Sequence, residues 1–168
     1  MRYVLLLAAI LAVAPYDAEL HASENKLDSI QALYKSYKKW FKSAPEITAK
    51  EALALQRNKK VIYLDIRAKK ERAVSIIAGA LSEKQFLARQ DAFREHKIIV
   101  YCTVGYRSGL YTEKLRKKNF NAFNLAGGIL MWVHAKGELK TLQGKKTNWL
   151  HVYGPRWNLA PPAFKTTW

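Results

Sequence analysis

The sequence predicts an α/β domain built on a central, mainly parallel sheet with helices on both faces. Two observations carry this. Compact β-favouring runs at Val61–Leu64, Ile98–Tyr101 and Ala122–Leu125 alternate with helical patterns, the order that gives parallel strands joined by crossover helices. Ile98 to Tyr101 is also apolar throughout, as expected of a strand covered on both faces.

The elements follow in order. Lys26 to Lys42 has Leu27, Ile30, Tyr34, Tyr37 and Phe41 at three- and four-residue steps, with Leu33 and Trp40 alongside, which predicts a helix with one apolar stripe. Lys35, Lys38, Lys39 and Lys42 fall off that stripe and form a basic, solvated face. Ser43 to Pro45 ends the helix. Thr48 with Glu51 reads as a capping box, opening a short helix to about Gln56. Val61 to Leu64 is a strand ending at Asp65. Glu83 to His96 has a helical pattern with Phe86, Leu87 and Phe93 inward. Ser108 to Lys118 is a helix with Leu110, Tyr111 and Leu115 inward. After the strand Ala122–Leu125, Gly127 and Gly128 turn into a helix through Trp132, a core residue. Beyond Glu138 the periodicity fades. Trp149, Tyr153, Trp157 and Trp168 make this tail too aromatic for a free solvated segment, so it reads as an extension wrapped on the domain. The segment His151–Trp157 has a particular pattern to which no role attaches.

Composition limits the chemistry. The chain has 168 residues and a formal net charge of +16. Arg2 followed by the apolar run Val4–Ala14 reads as a signal peptide, because about eleven apolar residues fall short of the roughly 20 a membrane span needs. The expected cleavage follows Ala22. Removing residues 1–22 takes away one basic and two acidic residues, so the mature chain is more positive still. The chain then divides into a signal peptide (1–22), a basic amphipathic helix (23–44), the α/β domain (45–137) and an aromatic, proline-containing extension (138–168). The expected location is periplasmic or secreted. A bias this basic draws anions: a small oxyanion, an acidic protein or an anionic membrane surface, with nucleic acid disfavoured by export. His96, His134 and His151 are scattered without ligand spacing, so no metal is expected. A single cysteine, Cys102, cannot form an internal disulfide, and is either inert or kept for reactivity.

Its context points to reactivity. Cys102-Thr103-Val104-Gly105-Tyr106-Arg107-Ser108 follows a buried-type strand and precedes a helix, where α/β sheets gather their chemistry. A helix start aims N–H groups and partial positive charge at the sulfur, which favours the nucleophilic thiolate. A short loop with the permissive Gly105 can curl into a nest of main-chain donors. Arg107 adds a permanent cation. Such a cradle suits attack on an anionic electrophile and would hold a charged persulfide.

These residues resemble the rhodanese family. Val61 to Arg67 is similar to its first core strand with an Asp-x-Arg end, Asp65 and Arg67. Glu71 is spaced as the family's glutamate. Cys102 to Ser108 is similar to its Cys-x-x-Gly-x-Arg-Ser loop, and Leu125 to Trp132 to its Leu-x-Gly-Gly-x-x-x-Trp motif. The resemblance runs over roughly Ile47 to Gly137. It implies a sulfurtransferase without a cofactor. Cys102 takes sulfane sulfur from thiosulfate or a similar small anionic donor and passes it to cyanide or a thiol. Main-chain amides from Thr103 through Val104, Gly105, Tyr106 and Arg107 hold the persulfide, with Ser108 supporting. Arg107 attracts the donor. Arg67 either shares that role or makes a structural ion pair, and Asp65 orders the neighbouring loop. Phosphatase and arsenate-reductase relatives have a longer loop between Cys and Arg, so the four residues here fit a bound sulfur better than a phosphate.

The chain also departs from the pattern. Ser75-Ile76-Ile77-Ala78-Gly79-Ala80 stands where the family has Gly-His-Ile-Pro-Gly-Ala, and loss of the His and Pro is expected to loosen a turn near the site. Lys114, Arg116, Lys117 and Lys118 form a charge run on the helix that starts at the loop; such a run is usually a solvated face, and its helix begins at the site, so steering of anionic donors is the second reading. A competing function is a non-catalytic rhodanese-fold module of the cell envelope that docks a partner through its basic surface.

Overall fold

The computed structural model describes the backbone of residues 14–168 and the side chains of residues 24–168. The expected signal segment lies outside the described residues over 1–13. Helix α1 (Ala14–Tyr37) carries its backbone across the expected cleavage point at Ala22, and a 3₁₀ turn (Lys38–Trp40) continues it. Then come β1 (Glu46–Ile47), α2 (Ala49–Ala54), β2 (Val61–Asp65), α3 (Lys69–Val74), β3 (Ile76–Ile77), β4 (Leu81–Ser82), α4 (Glu83–Leu87), β5 (Lys97–Tyr101), α5 (Tyr106–Lys117), β6 (Asn121–Leu125) and α6 (Gly128–His134). The extension adds β7 (Leu139–Lys140), β8 (Lys146–Thr147), β9 (Trp149–His151) and β10 (Lys165–Thr167).

The main sheet has the order β1-β6-β5-β2-β4, and every pairing in it is parallel. The period of two along each strand splits its apolar side chains between two cores. Tyr63, Ile99, Tyr101 and Leu125 face a core shared with Ile30 of α1, Ala52 of α2 and Ile129 and Trp132 of α6. Leu64, Ile98, Val100 and Ala122 face the other, with Phe86 of α4 and Leu115 of α5. Helices therefore cover both faces, and the strands are apolar because neither side meets water. Trp132 is fully buried. Its ring meets Tyr63 edge-on at 5.5 Å.

The apolar stripe of α1 is used within the protein. Ile30 and Phe41 are fully buried and Tyr34 nearly so, while Trp40 is exposed. The exposed side of the helix and its 3₁₀ turn mixes Lys35, Lys38 and Lys39 with Glu24, Asp28 and Gln31, and the apolar stripe is not free for a membrane. Lys26 ties the helix to the extension by donating to the Ala160 carbonyl at 2.9 Å. The capping box at α2 forms as expected: Thr48 Oγ1 accepts the Glu51 N–H, and the Glu51 carboxylate accepts the Thr48 N–H at 2.9 Å. Thr48→Ala should lower stability by about 1 kcal/mol, read as a shift of the urea midpoint.

Two local expectations are corrected. The helix expected over Glu83–His96 stops at Leu87 and gives way to a 3₁₀ turn at Gln90–Phe93. The break rotates Leu87 outward, so it is exposed where a core contact was expected. The segment Ser75–Ala80 is not loosened by its missing His and Pro. Ile76 and Ile77 pair antiparallel with Lys140 and Leu139, the Ile77 N–H reaches Tyr101 Oη at 3.1 Å, and Gly79 takes φ +78 to close the turn.

Candidate active site

The site forms where β5 ends and α5 begins. Cys102 is nearly inaccessible from outside, at 1% exposure, but it lines the floor of a cavity of about 320 Å³. Its Sγ accepts the Gly105 N–H at 3.2 Å, and the Ser108 hydroxyl lies 3.5 Å away. Gly105 takes φ +99, a left-handed conformation that suits glycine. A Cβ there would also stand 2.6 Å from the Tyr34 ring. The loop thus curls under α1 as well as over the sheet.

Hydrogen bonds outside the loop set its curl. The first N–H groups of α6, from Ile129 and Leu130, donate to the carbonyls of Cys102 (2.9 Å) and Thr103 (3.2 Å). Buried Asn124 of β6 donates to the Gly105 carbonyl at 3.0 Å. All described peptides are trans, so each carbonyl drawn one way turns the next N–H the other way. Three loop carbonyls are drawn outward in this manner. The N–H groups of Thr103, Val104 and Tyr106 are turned away from those acceptors. Asn124 was not singled out from the sequence. It also donates to Tyr34 Oη at 3.0 Å, and that hydroxyl donates to Glu46 at 2.8 Å.

Arg107 and Glu71 form the electrostatic centre. The guanidinium grips the carboxylate in a bidentate pair, both bonds 2.7 Å, the geometry that makes such pairs strong. Thr103 Oγ1 lies 3.1 Å from both partners, donating to Glu71 and accepting from Arg107. The Glu71 carboxylate also accepts the Ala68 N–H at 2.9 Å, anchoring α3. Burial pushes the Glu71 carboxyl up, but the Arg107 hydrogen bonds and charge outweigh it and hold the group at about 2. Burial likewise works against the Arg107 charge, and the Glu71 pair with the neighbouring Cys102 sulfur more than offsets it. The sequence indicated Glu71 by spacing alone. Its place beside the loop is a long-range contact.

The expectation that Arg67 attracts the donor is corrected. Its side chain and that of Asp65 are both fully buried. Arg67 makes two side-chain bonds to Asp65, at 3.0 and 2.7 Å, and one to the Ser75 carbonyl at 2.6 Å. Asp65 further accepts the Arg67 N–H and the Tyr101 hydroxyl. Asp65 therefore orders the β2–α3 connection and Arg67 staples it to Ser75, beneath the site rather than in it. The basic run lies at the far end of its helix from the sulfur. Lys114, Arg116 and Lys117 sit in the last turn of α5, while Cys102 precedes its first. The helix rises roughly 18 Å between those ends, beyond the ~8 Å screening length at physiological salt.

A cysteine at the carboxyl edge of a parallel sheet, in a loop whose carbonyls are held by α6 and Asn124 and which runs into a helix start, defines the class: an α/β protein with a cysteine loop at the sheet edge. The sequence model of the rhodanese-like domain family matches residues 48–135, over half of the chain. The protein belongs to that family. Among solved structures it is similar to a rhodanese-related protein from Thermoplasma volcanium (23% identity, TM-score 0.50, covering 57% of this chain and 97% of that one). It is similar to a thiosulfate sulfurtransferase from Pseudomonas aeruginosa (22%, TM-score 0.55, covering 70% of this chain and 24% of that one). It is also similar to a rhodanese-like domain from Anabaena (20%, TM-score 0.51, covering 58% of this chain and 80% of that one). No protein with a curated description matches it in sequence. At these identities the structures speak for the fold.

Proposed function

We propose that this protein is a sulfurtransferase that carries sulfane sulfur as a persulfide on Cys102. The observation that supports this most is the loop itself: Sγ accepts a main-chain N–H from Gly105 at 3.2 Å, while the carbonyls of Cys102, Thr103 and Gly105 are drawn outward. Fixed amide donors around a sulfur stabilise negative charge there without a mobile counter-ion.

The step balances simply. The Cys102 thiolate attacks the outer sulfur of a donor such as thiosulfate. An S–S bond forms to Cys102, the donor's own S–S bond breaks, and its electron pair leaves with sulfite. The persulfide keeps one negative charge, and a thiolate or cyanide then takes its terminal sulfur and returns the Cys102 thiolate. Arg107, held by Glu71, shapes the loop from the α3 side. With one cysteine in the chain, acceptance of the sulfur falls to another molecule. We propose further that this work is done in the cell envelope or outside it, a reading supported by the apolar run Val4–Ala14 in the sequence, and that the basic surface is offered to acidic partners or anionic lipid.

Incubation with thiosulfate followed by intact-mass measurement tests the reading. The expected result is one added sulfur atom on the wild type, removed by a thiol reductant and missing in Cys102→Ser. No adduct, with no cyanide-dependent turnover, would leave a non-catalytic binding module.

A further inference from the structure

Two segments outside the matched residues 48–135 converge on the cavity above Cys102. α1 supplies Tyr37, and the C-terminal extension supplies Tyr153 and Trp157. With Tyr106 of α5 they wall the opening in aromatic rings. The rings are arranged against one another: Tyr37 and Tyr106 lie 5.2 Å apart, and Tyr153 meets Trp157 edge-on at 5.1 Å.

Tyr153 is held there at some strain. Its φ is +73, a left-handed backbone that bulky residues rarely adopt. Its N–H donates to His151 Nδ1 at 3.0 Å, fixing the turn. The residue is 52% exposed, so core packing does not explain the strain. Strained residues at a cavity rim are characteristic of ligand-contacting positions.

The charge at this rim is spent. Arg107 is the cation among the lining residues. Both its terminal nitrogens are bound to Glu71, and its guanidinium lies 5.1 Å from the Tyr153 ring centre. A bare inorganic dianion would shed water here for four rings and a neutralised cation, a poor exchange. A donor with a flat apolar body would bury that body against the rings and present only its terminal sulfur to the loop amides.

Building on the sulfurtransferase reading, we infer that Tyr37, Tyr106, Tyr153 and Trp157 form a subsite for a flat apolar group on the donor. The site therefore takes aryl thiosulfonates, R–SO₂–S⁻, in preference to thiosulfate. The Cys102 thiolate attacks the terminal sulfur, the S–S bond to the sulfonyl sulfur breaks, and its electron pair leaves as the sulfinate R–SO₂⁻. Charge is conserved and no outside oxidant is consumed.

The test measures kcat/KM for benzenethiosulfonate and for thiosulfate, each divided by that donor's rate with a free thiol. In the wild type the corrected ratio should favour the aryl donor by about tenfold or more, as ring–ring contacts allow. Tyr153→Ala should lower the ratio by about fivefold. Trp168→Ala, an exposed aromatic of the same extension that does not line the cavity, should leave it unchanged. A wild-type ratio near or below one, or a ratio unmoved by Tyr153→Ala, overturns the subsite while leaving sulfur transfer intact. Failure of both donors to place sulfur on wild-type Cys102 overturns the sulfurtransferase reading and the subsite with it.

Discussion

Glu71→Gln should weaken both the fold and sulfur transfer, and should do so in a pH-dependent way. The wild-type carboxylate serves Arg107 twice, Thr103 once and the Ala68 N–H once. A glutamine has one oxygen for these donors and presents an N–H₂ group to the rest. Breaking a buried pair from one side usually costs about 3–5 kcal/mol. Arg107 keeps 31% of its side chain exposed and can turn partly to water, so a loss of about 2–3 kcal/mol at neutral pH is expected. Thr103 loses its anchor, and a shift of the loop by about 1 Å would lower transfer by about 100-fold.

The pH dependence follows from the low folded pKa. An unpaired glutamate titrates near 4.5, and Glu71 in the fold near 2. A depressed acid contributes stability that is fully present above 4.5 and is lost as pH falls through about 2. The gap in urea midpoint between wild type and Glu71→Gln should therefore narrow from pH 7 towards pH 2.5. A constant gap would mean that the Glu71 charge is not what stabilises the site.

Legibility in the sequence tracked the range of each interaction. The loop from Cys102 to Ser108 was readable because its chemistry is local: a strand end, a permissive glycine and a helix start within seven residues. The strand runs were readable because burial on both faces leaves them apolar. The two-residue strands β3, β4 and β7 have too little length to express any period. The fate of Arg67 was not readable, since burial of a cation is decided by distant acceptors. Asp65 was in view as a neighbour, but the Ser75 carbonyl and the Tyr101 hydroxyl enter only through the fold. The tail packs on the domain through Leu150, Val152 and Ala160, whereas Trp149, Tyr153 and Trp168, three of the aromatics that suggested wrapping, are exposed. Its position over Cys102 depends on β9 packing beside α3, a contact that leaves no mark in the sequence of either segment.

Gly128→Ala should be among the most damaging single-methyl changes available to this site. Gly128 has φ +59, and a Cβ there would lie 2.4 Å from the Cys102 carbonyl oxygen and 2.6 Å from that of Thr103. Those are the two carbonyls that accept the Ile129 and Leu130 N–H groups. No side-chain rotation relieves a collision with backbone, so either α6 retreats or the loop uncurls. The handedness alone should cost about 1–2 kcal/mol, and disruption of the two hydrogen bonds should raise the total to about 3–4 kcal/mol. Sulfur loading of Cys102 should fall about 100-fold, because the carbonyls released from α6 no longer hold the amides in place. Gly79→Ala separates the two causes. Gly79 has a similar φ, +78, with open space where a Cβ would go, so it should show the handedness penalty and keep normal loading. If the two variants lose stability equally and both load sulfur at the wild-type rate, then the close seat of α6 on the loop is not what shapes the cradle.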